Sequence, residues 1–265
     1  MKTAILFLLN IIIWYQCGYL QTLHPSAYFL DIGQGDATLI QDHFTQIIID
    51  TGQDESILSQ LNQIIPAYDK TIECLIITHP HEDHYQGMVH LFDYYTINQV
   101  VLPQIDGTSQ SYQSLLDEIK QRHIPTIKAD NFTQISTDNL LIQFIFPFKY
   151  HTPQKVSDLN DISNAMIVFL DNKKITISGD LPQNIENQLV DKYGPNLSSD
   201  ILQVGHHGSK TSSSDEFIQT VKPNIAVISV GEGNKFGHPD QSTLDRFEQN
   251  KIEVWRTDLD GTFST

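Results

Sequence analysis

Residues 74–84 read Cys74-Leu75-Ile76-Ile77-Thr78-His79-Pro80-His81-Glu82-Asp83-His84: an apolar, β-type run that ends in three histidines and two carboxylates within six positions. His79 and His81, two apart on an extended segment, point the same way, and Asp83 and His84 fall where the chain turns into a helix. Imidazole and carboxylate are ligands of zinc, iron and manganese, and a crowd of both is more than one ion needs. With 11 histidines in 265 residues, a chance His-x-His-x-Asp-His is expected on the order of once in a thousand such chains. A solvated turn is therefore the weaker reading of this stretch, and a metal cage at the end of a strand the stronger.

Working outward, short β-rich runs alternate with amphipathic helical stretches. Residues 28–30, 37–41 and 46–49 read as strands before the cage. The stripe Ile57, Leu58, Leu61, Ile64 and Ile65 predicts a helix over 54–65, and a helix over about 84–95 follows the cage. Strands are expected at 100–102 and 140–146, a helix at 111–122, and a hairpin of 165–170 with 174–177 around Asp171-Asn172. Helices at 183–192, 214–221 and 240–249 then alternate with strands at 201–204, 225–230 and 253–256. Polar clusters close several of these strands: Asp31-Ile32-Gly33-Gln34-Gly35-Asp36, Ser178-Gly179-Asp180, Gly205-His206-His207-Gly208-Ser209 and Gly237-His238-Pro239. That arrangement describes an α/β enzyme with its site along one edge of mixed sheets.

Composition narrows the class. Hydrophobic residues make up 40% of the chain and charged ones 18%, with no linker, repeat or low-complexity tract, which suits one large domain over 24–265. Residues 1–23 open with a single lysine and continue as an apolar run, predicting a signal peptide or an uncleaved signal anchor, with the catalytic part outside the cytoplasm, membrane-bound or secreted. Cys17 lies in that leader and Cys74 in a core strand, so neither a disulfide framework nor a thiolate zinc site is available. The formal charge of −16 repels polyanions at long range, which argues against a passive nucleic-acid binder. It says little about an enzyme whose metal ions supply local positive charge.

The cage motif resembles that of the metallo-β-lactamase superfamily. The stretches 29–37, 49–52, 205–211, 227–231, 237–239 and 256–258, in this order over about residues 26–262, are similar to the metallohydrolase domain of late-competence DNA-uptake (ComEC-like) proteins. The resemblance implies an αβ/βα four-layer sandwich with two mixed β-sheets and a site for two divalent ions, zinc first and manganese as the alternative. By the same resemblance His79 and His81 would bind one ion, Asp83, His84 and His206 the other, and Asp180 would bridge. Close relatives often carry Asp where this chain has His81. In the loop before residue 165, where many superfamily members place another histidine, the chain reads Asn160, Asp161 and Asn164, and His151 stands too early. The His79/His81 ion is then expected to complete its shell with water.

The remaining polar residues at this edge are expected to serve substrate or orient ligands: Asp31, Gln34, Asp36, Asn160, Asn164, Ser209 and Lys210. Asp36 is expected to hold a metal-bound histidine. His207 or His238 is expected to donate a proton in the reaction, with Asp83 as a catalytic carboxylate. The function implied is a metal-dependent hydrolase, foremost a phosphodiesterase or nuclease acting on DNA outside the cytoplasm in DNA uptake. A small-phosphodiester hydrolase, such as a phosphorylcholine esterase, or a non-catalytic DNA-uptake accessory protein are the alternatives.

Overall fold

Strands β1 (Ser26–Phe29), β2 (Thr38–Asp42) and β3 (Thr45–Ile49) form an antiparallel meander that opens the computed structural model, which describes residues 24–148, 156 and 158–265. After the small pair β4 (Thr71–Ile72) and β6 (Thr96–Ile97), strands β5 (Cys74–Ile76), β7 (Val100–Leu102) and β8 (Thr126–Lys128) continue the first sheet in parallel. The second sheet starts antiparallel with β9 (Gln134–Ser136), β10 (Leu140–Phe146), β11 (Ala165–Leu170) and β12 (Lys173–Ile177). It becomes parallel through β13 (Ile201–Gln203), β14 (Ile225–Ile228) and β15 (Glu253–Arg256). The last strand, β16 (Phe263–Ser264), returns to pair with β1, so each sheet has seven strands and both are mixed, as expected.

The isoleucine run of β3 sets the layering. Ile47 and Ile49 point into a cluster shared with Phe144, Met166, Val168 and Val227 of the other sheet, while Ile48 points away into a cluster with Ile57, Leu61 and Leu115. Successive strand side chains face opposite sides, so a strand apolar at every position needs a layer on each face. On the first sheet the outer layer is α1 (Ser56–Ile64) and α4 (Gln110–Gln121). On the second it is α5 (Gln183–Tyr193), α6 (Asp215–Val221) and α7 (Gln241–Gln249), through Leu189, Phe217 and Phe247. The result is helix, sheet, sheet, helix. Ser109, Ser214 and Asp240 cap α4, α6 and α7 by accepting backbone N–H bonds, each contributing about 1 kcal/mol.

Three expectations change. The helix expected over about 84–95 is two short pieces, α2 (Glu82–Tyr85) and α3 (Met88–Leu91). Gly87 separates them because its backbone lies against the 51–54 turn: its N–H donates to the Gly52 carbonyl at 2.8 Å, and a Cβ would meet the Thr51 carbonyl oxygen at 2.1 Å. Strands β8 and β9 are present where none was expected. They are edge strands of three residues, largely exposed, and carry no apolar alternation. The signal-anchor expectation is corrected as well: among the described residues no helix is long and apolar enough to cross a membrane, and residues 1–23 lie outside the described residues. A short helix, α8 (Thr257–Asp260), completes the chain order.

Candidate metal centre

The carboxyl ends of β3, β5, β12, β13 and β14 meet at one edge of the two sheets. Asp50 leaves β3 with φ 58°, and its buried carboxylate accepts from the Thr78 N–H at 2.8 Å, the Thr78 hydroxyl at 2.6 Å and His84 Nδ1 at 2.8 Å. The Thr78 oxygen in turn accepts from His79 Nδ1 at 3.0 Å. With their Nδ1 protons so committed, His79 and His84 present unprotonated Nε2 atoms inward when neutral. Asp180 follows β12 through Gly179, whose φ of +52° and tight approach to Ser163 and Thr78 disfavour a side chain.

Asp180 is the hub. Its Oδ2 lies 3.6 Å from His79 Nε2, 3.5 Å from His84 Nε2, 3.9 Å from His206 Nε2 and 4.0 Å from His207 Nε2. Two groups of convergent donors result, His79 with His84 and Asp180, and Asp83 with His84 and His207, each with ligand atoms within 4.8 Å of one another. His81 joins through His79, their facing ring nitrogens 3.0 Å apart. A third such group, Asp36 with Asp50 and His84, lies behind the imidazoles, where Asp50 receives the His84 Nδ1 proton.

The adjacent histidines both bring Nε2 toward Asp180, at 3.9 Å for His206 and 4.0 Å for His207, but differ in burial. His207 is buried; its Nδ1 donates to the Ser229 carbonyl at 3.0 Å and its Nε2 reaches Asp83 Oδ2 at 3.2 Å. His206 is 28% exposed at its side chain, with Nδ1 3.3 Å from the Thr211 hydroxyl and 3.5 Å from Asn160 Nδ2. The cause is local backbone: both residues are left-handed, with φ 52° and 53°. Such residues cost about 1–3 kcal/mol each and cluster at functional sites. In that turn the second ring, not the first, swings under the sheet edge.

Burial and charge pull against each other throughout. Burial lowers the His79 pKa well below the usual value, and the neighbouring His84 adds to the effect. For His84 and His207 burial acts in the same direction, but nearby carboxylates, Asp180 first, outweigh it and raise both well above the ordinary imidazole range. Asp83 and Asp180 stay ionised well below the usual carboxylate range, because the charge of His84 overcomes their desolvation. Asp50 goes the other way: burial raises it despite its bonds to His84 and Thr78. These carboxylates therefore call for positive charge at the inward Nε2 atoms.

The other expected residues sort by place. Asp36 is buried with Oδ1 3.4 Å from His207 Nδ1, in position to orient that ring. Asn164 donates to the Ile77 carbonyl at 2.9 Å and braces the strand end before the cage. Asn160 keeps a buried Oδ1 without a hydrogen-bond partner. Gln34 accepts from the Gly231 N–H at 3.3 Å and lines a cleft with Asp83. His238 meets His206 edge-on, centroids 5.6 Å apart. Ser209 bonds Thr211 at 2.9 Å, beside His206. Two residues are not brought to the cluster by any contact: Lys210 is exposed, and Asp31 pairs with Gly33, Gln60 and Thr262 at the far side of its loop. His151 lies outside the described residues.

Asp50 and Thr78 were missed as site residues by sequence reading. The signal was present, a carboxylate closing a strand in Asp50-Thr51-Gly52, but that pattern also suits a turn.

The donor set fits divalent ions. His84 Nε2 and Asp180 Oδ1 are buried with no hydrogen-bond partner, which is costly unless a ligand satisfies them. Imidazole nitrogens mixed with carboxylate oxygens suit zinc or manganese.

The comparisons agree with this geometry. The model for the family described as "Metallo-beta-lactamase superfamily" matches residues 30–154. ComE operon protein 3 of Bacillus subtilis is 27% identical over 255 residues, covering 88% of this chain and 32% of that protein. Competence protein ComA of Neisseria gonorrhoeae is 28% identical over 236 residues, covering 87% of this chain and 30% of that protein. The chain thus spans under a third of the length of these curated relatives. In fold it is similar to YhfI of Bacillus subtilis, a metallo-β-lactamase fold protein, with a TM-score of 0.60 over 91% of this chain and 100% of that one at 13% identity. The strand-end donors, the layering and the match of residues 30–154 to the metallo-β-lactamase superfamily accord, and the chain is a metal-dependent hydrolase.

Proposed function

We propose that the chain is a phosphodiesterase that cleaves DNA in the course of DNA uptake. The observation that carries the reading is the pair of donor groups sharing His84 around the Asp180 carboxylate, and the likeness to a protein named for competence supports DNA uptake as its setting. His79, His81 and Asp180 would hold one divalent ion, and Asp83, His84, His207 and Asp180 a second. Zinc is the first choice and manganese the alternative; bound there, the ions would supply Lewis acidity and an activated water suited to in-line attack on phosphorus.

The chain's own residues divide the remaining work. Asp50, Thr78 and the Ser229 carbonyl fix ring orientation through Nδ1 protons, and Asp36 backs His207. His206, partly open to solvent and flanked by His238, holds the proton destined for the leaving oxygen. Asp83 serves as ligand and, with Glu82, lines the cleft.

The test is to load the protein with zinc or manganese, measure bound metal, and compare single-stranded DNA, duplex DNA, RNA, a bis-aryl phosphate, a phosphorylcholine ester and a β-lactam. DNA cleavage that disappears in Asp83→Ala and Asp180→Ala supports the reading. A β-lactam as sole substrate would sink it. The net charge of −16 favours a second reading, a small phosphodiester, and preference for the phosphorylcholine ester over every nucleic acid would select it.

A further inference from the structure

Phe236 is 55% exposed, yet its loop is not loose. The side chain of Asn234 accepts the N–H groups of Phe236 at 3.2 Å and His238 at 3.1 Å, and donates to the carbonyls of Gly231 at 3.1 Å and His238 at 2.7 Å. Four hydrogen bonds from one amide pin the backbone that carries the ring. An aromatic face held in water by a fixed loop invites a stacking partner.

The ring's surroundings name that partner. Phe236 lies nearly parallel to His238, 15° between planes and 6.1 Å between centroids, and His238 in turn meets His206 beside the metal centre. Asp83, Gln34, Asn234, Lys235 and Phe236 line one cleft of about 400 Å³, within the range of pockets that take a small molecule, about 300–1,000 Å³. One end of this cleft is a candidate ligand of the metal centre and the other an aromatic face. Lys235 Nζ lies 5.3 Å from the Phe236 centroid. An ammonium at that ring repels a second cation, which disfavours a choline headgroup there, and attracts the phosphate beside a base.

We propose that Phe236, with His238 beside it and the flexible Lys235 side chain over its ring, is a stacking site for a nucleobase next to the scissile phosphodiester. The proposal rests on the phosphodiesterase reading above and deepens it: the enzyme takes base-bearing phosphodiesters and grips them by a base's face, without reading its edge. Such contacts tolerate any sequence, since every base has a π-face.

The experiment compares two single-stranded oligomers of equal length and identical phosphodiester backbone, oligothymidylate and an oligomer of abasic tetrahydrofuran residues, with the metal-loaded protein. The expected result is a kcat/KM about tenfold higher for the base-bearing oligomer, carried by KM, as one base-on-ring stack provides. In Phe236→Ala the ratio falls to near one, and Phe236→Trp restores it. A ratio unchanged in Phe236→Ala overturns the proposal, as does failure of Phe236→Trp to restore it. Should the metal-loaded wild type cleave neither oligomer nor any other phosphodiester named above, the phosphodiesterase reading falls by itself, and fluorescence polarisation of the labelled oligomers then decides. Preferential binding of the base-bearing oligomer, lost in Phe236→Ala, sustains the stacking site, and equal binding of both overturns it.

Discussion

His84 Nδ1 lies 2.8 Å from Asp50 Oδ2, and the same carboxylate oxygen receives the Thr78 hydroxyl at 2.6 Å. One buried aspartate thereby sets the orientation of His84 directly and of His79 through Thr78. Groups that orient a metal-bound imidazole contribute about 10–100-fold to metal affinity. Asp50→Ala should weaken metal binding by about that factor, read by competition with a chromophoric chelator. Unaltered affinity in a folded variant would remove Asp50 from this role.

His206 and His207 should separate cleanly. His207→Ala removes a buried ring facing Asp83 and Asp180 and is expected to lower bound metal to about one ion per chain. His206→Ala should retain metal and lose about 10²–10⁴-fold in kcat, the usual worth of a positioned proton donor. Metal analysis of the two variants, side by side with turnover, distinguishes them; the reverse pattern would restore the expectation drawn from sequence.

Chelation should destabilise the fold. Asp36, Asp50 and Asp180 are buried around two imidazoles, and ions at 100 times their dissociation constant contribute about 2.7 kcal/mol of linkage energy per site. Treatment with EDTA is expected to lower Tm by about 5–10 °C in a chain of this size, with recovery on adding zinc or manganese. A Tm indifferent to both treatments would count against metal at this centre.

Glu186 predicts a pH effect away from the centre. Its fully buried carboxyl accepts the Ser213 and Ser214 N–H groups at 2.6 and 2.8 Å, and burial pushes it up to about 7. The folded protein therefore binds this proton more tightly than the unfolded chain. The stability it contributes is complete below the unfolded value of 4.5 and is lost as pH rises through about 7. Relative to Glu186→Gln, the wild type should lose about 1–3 kcal/mol between pH 5 and 8, measured by denaturant unfolding at each pH. A constant difference across that window would contradict the assignment.

Gly87→Ala tests the break between α2 and α3. A Cβ there meets the Thr51 carbonyl oxygen at 2.1 Å, and backbone must shift, at a cost of about 1–3 kcal/mol. Because Thr51 N–H also bonds the His84 carbonyl at 2.7 Å, the variant is expected to lose metal affinity together with stability. Alanine tolerated without change in either would show that the turn yields freely.

The sequence by itself determined the local part of this protein. Continuous β-type runs announce strands buried on both faces, and the spacing of His79, His81, Asp83 and His84 is legible because neighbours on one loop must share a site. Asp180 was also readable, as a carboxylate closing a strand. Tertiary structure alone decided the rest. The two left-handed residues of the Gly205–Gly208 turn leave His207 buried and His206 partly exposed beside Asp180, and no residue-type pattern records a φ angle. Asp50 acquires its part only when β3 and β5 lie side by side and bring Thr78 and His84, 28 and 34 residues away, onto one carboxylate. Hydrophobic patterning is written along the chain, whereas ring orientation and proton placement depend on contacts between strand ends that only packing brings together.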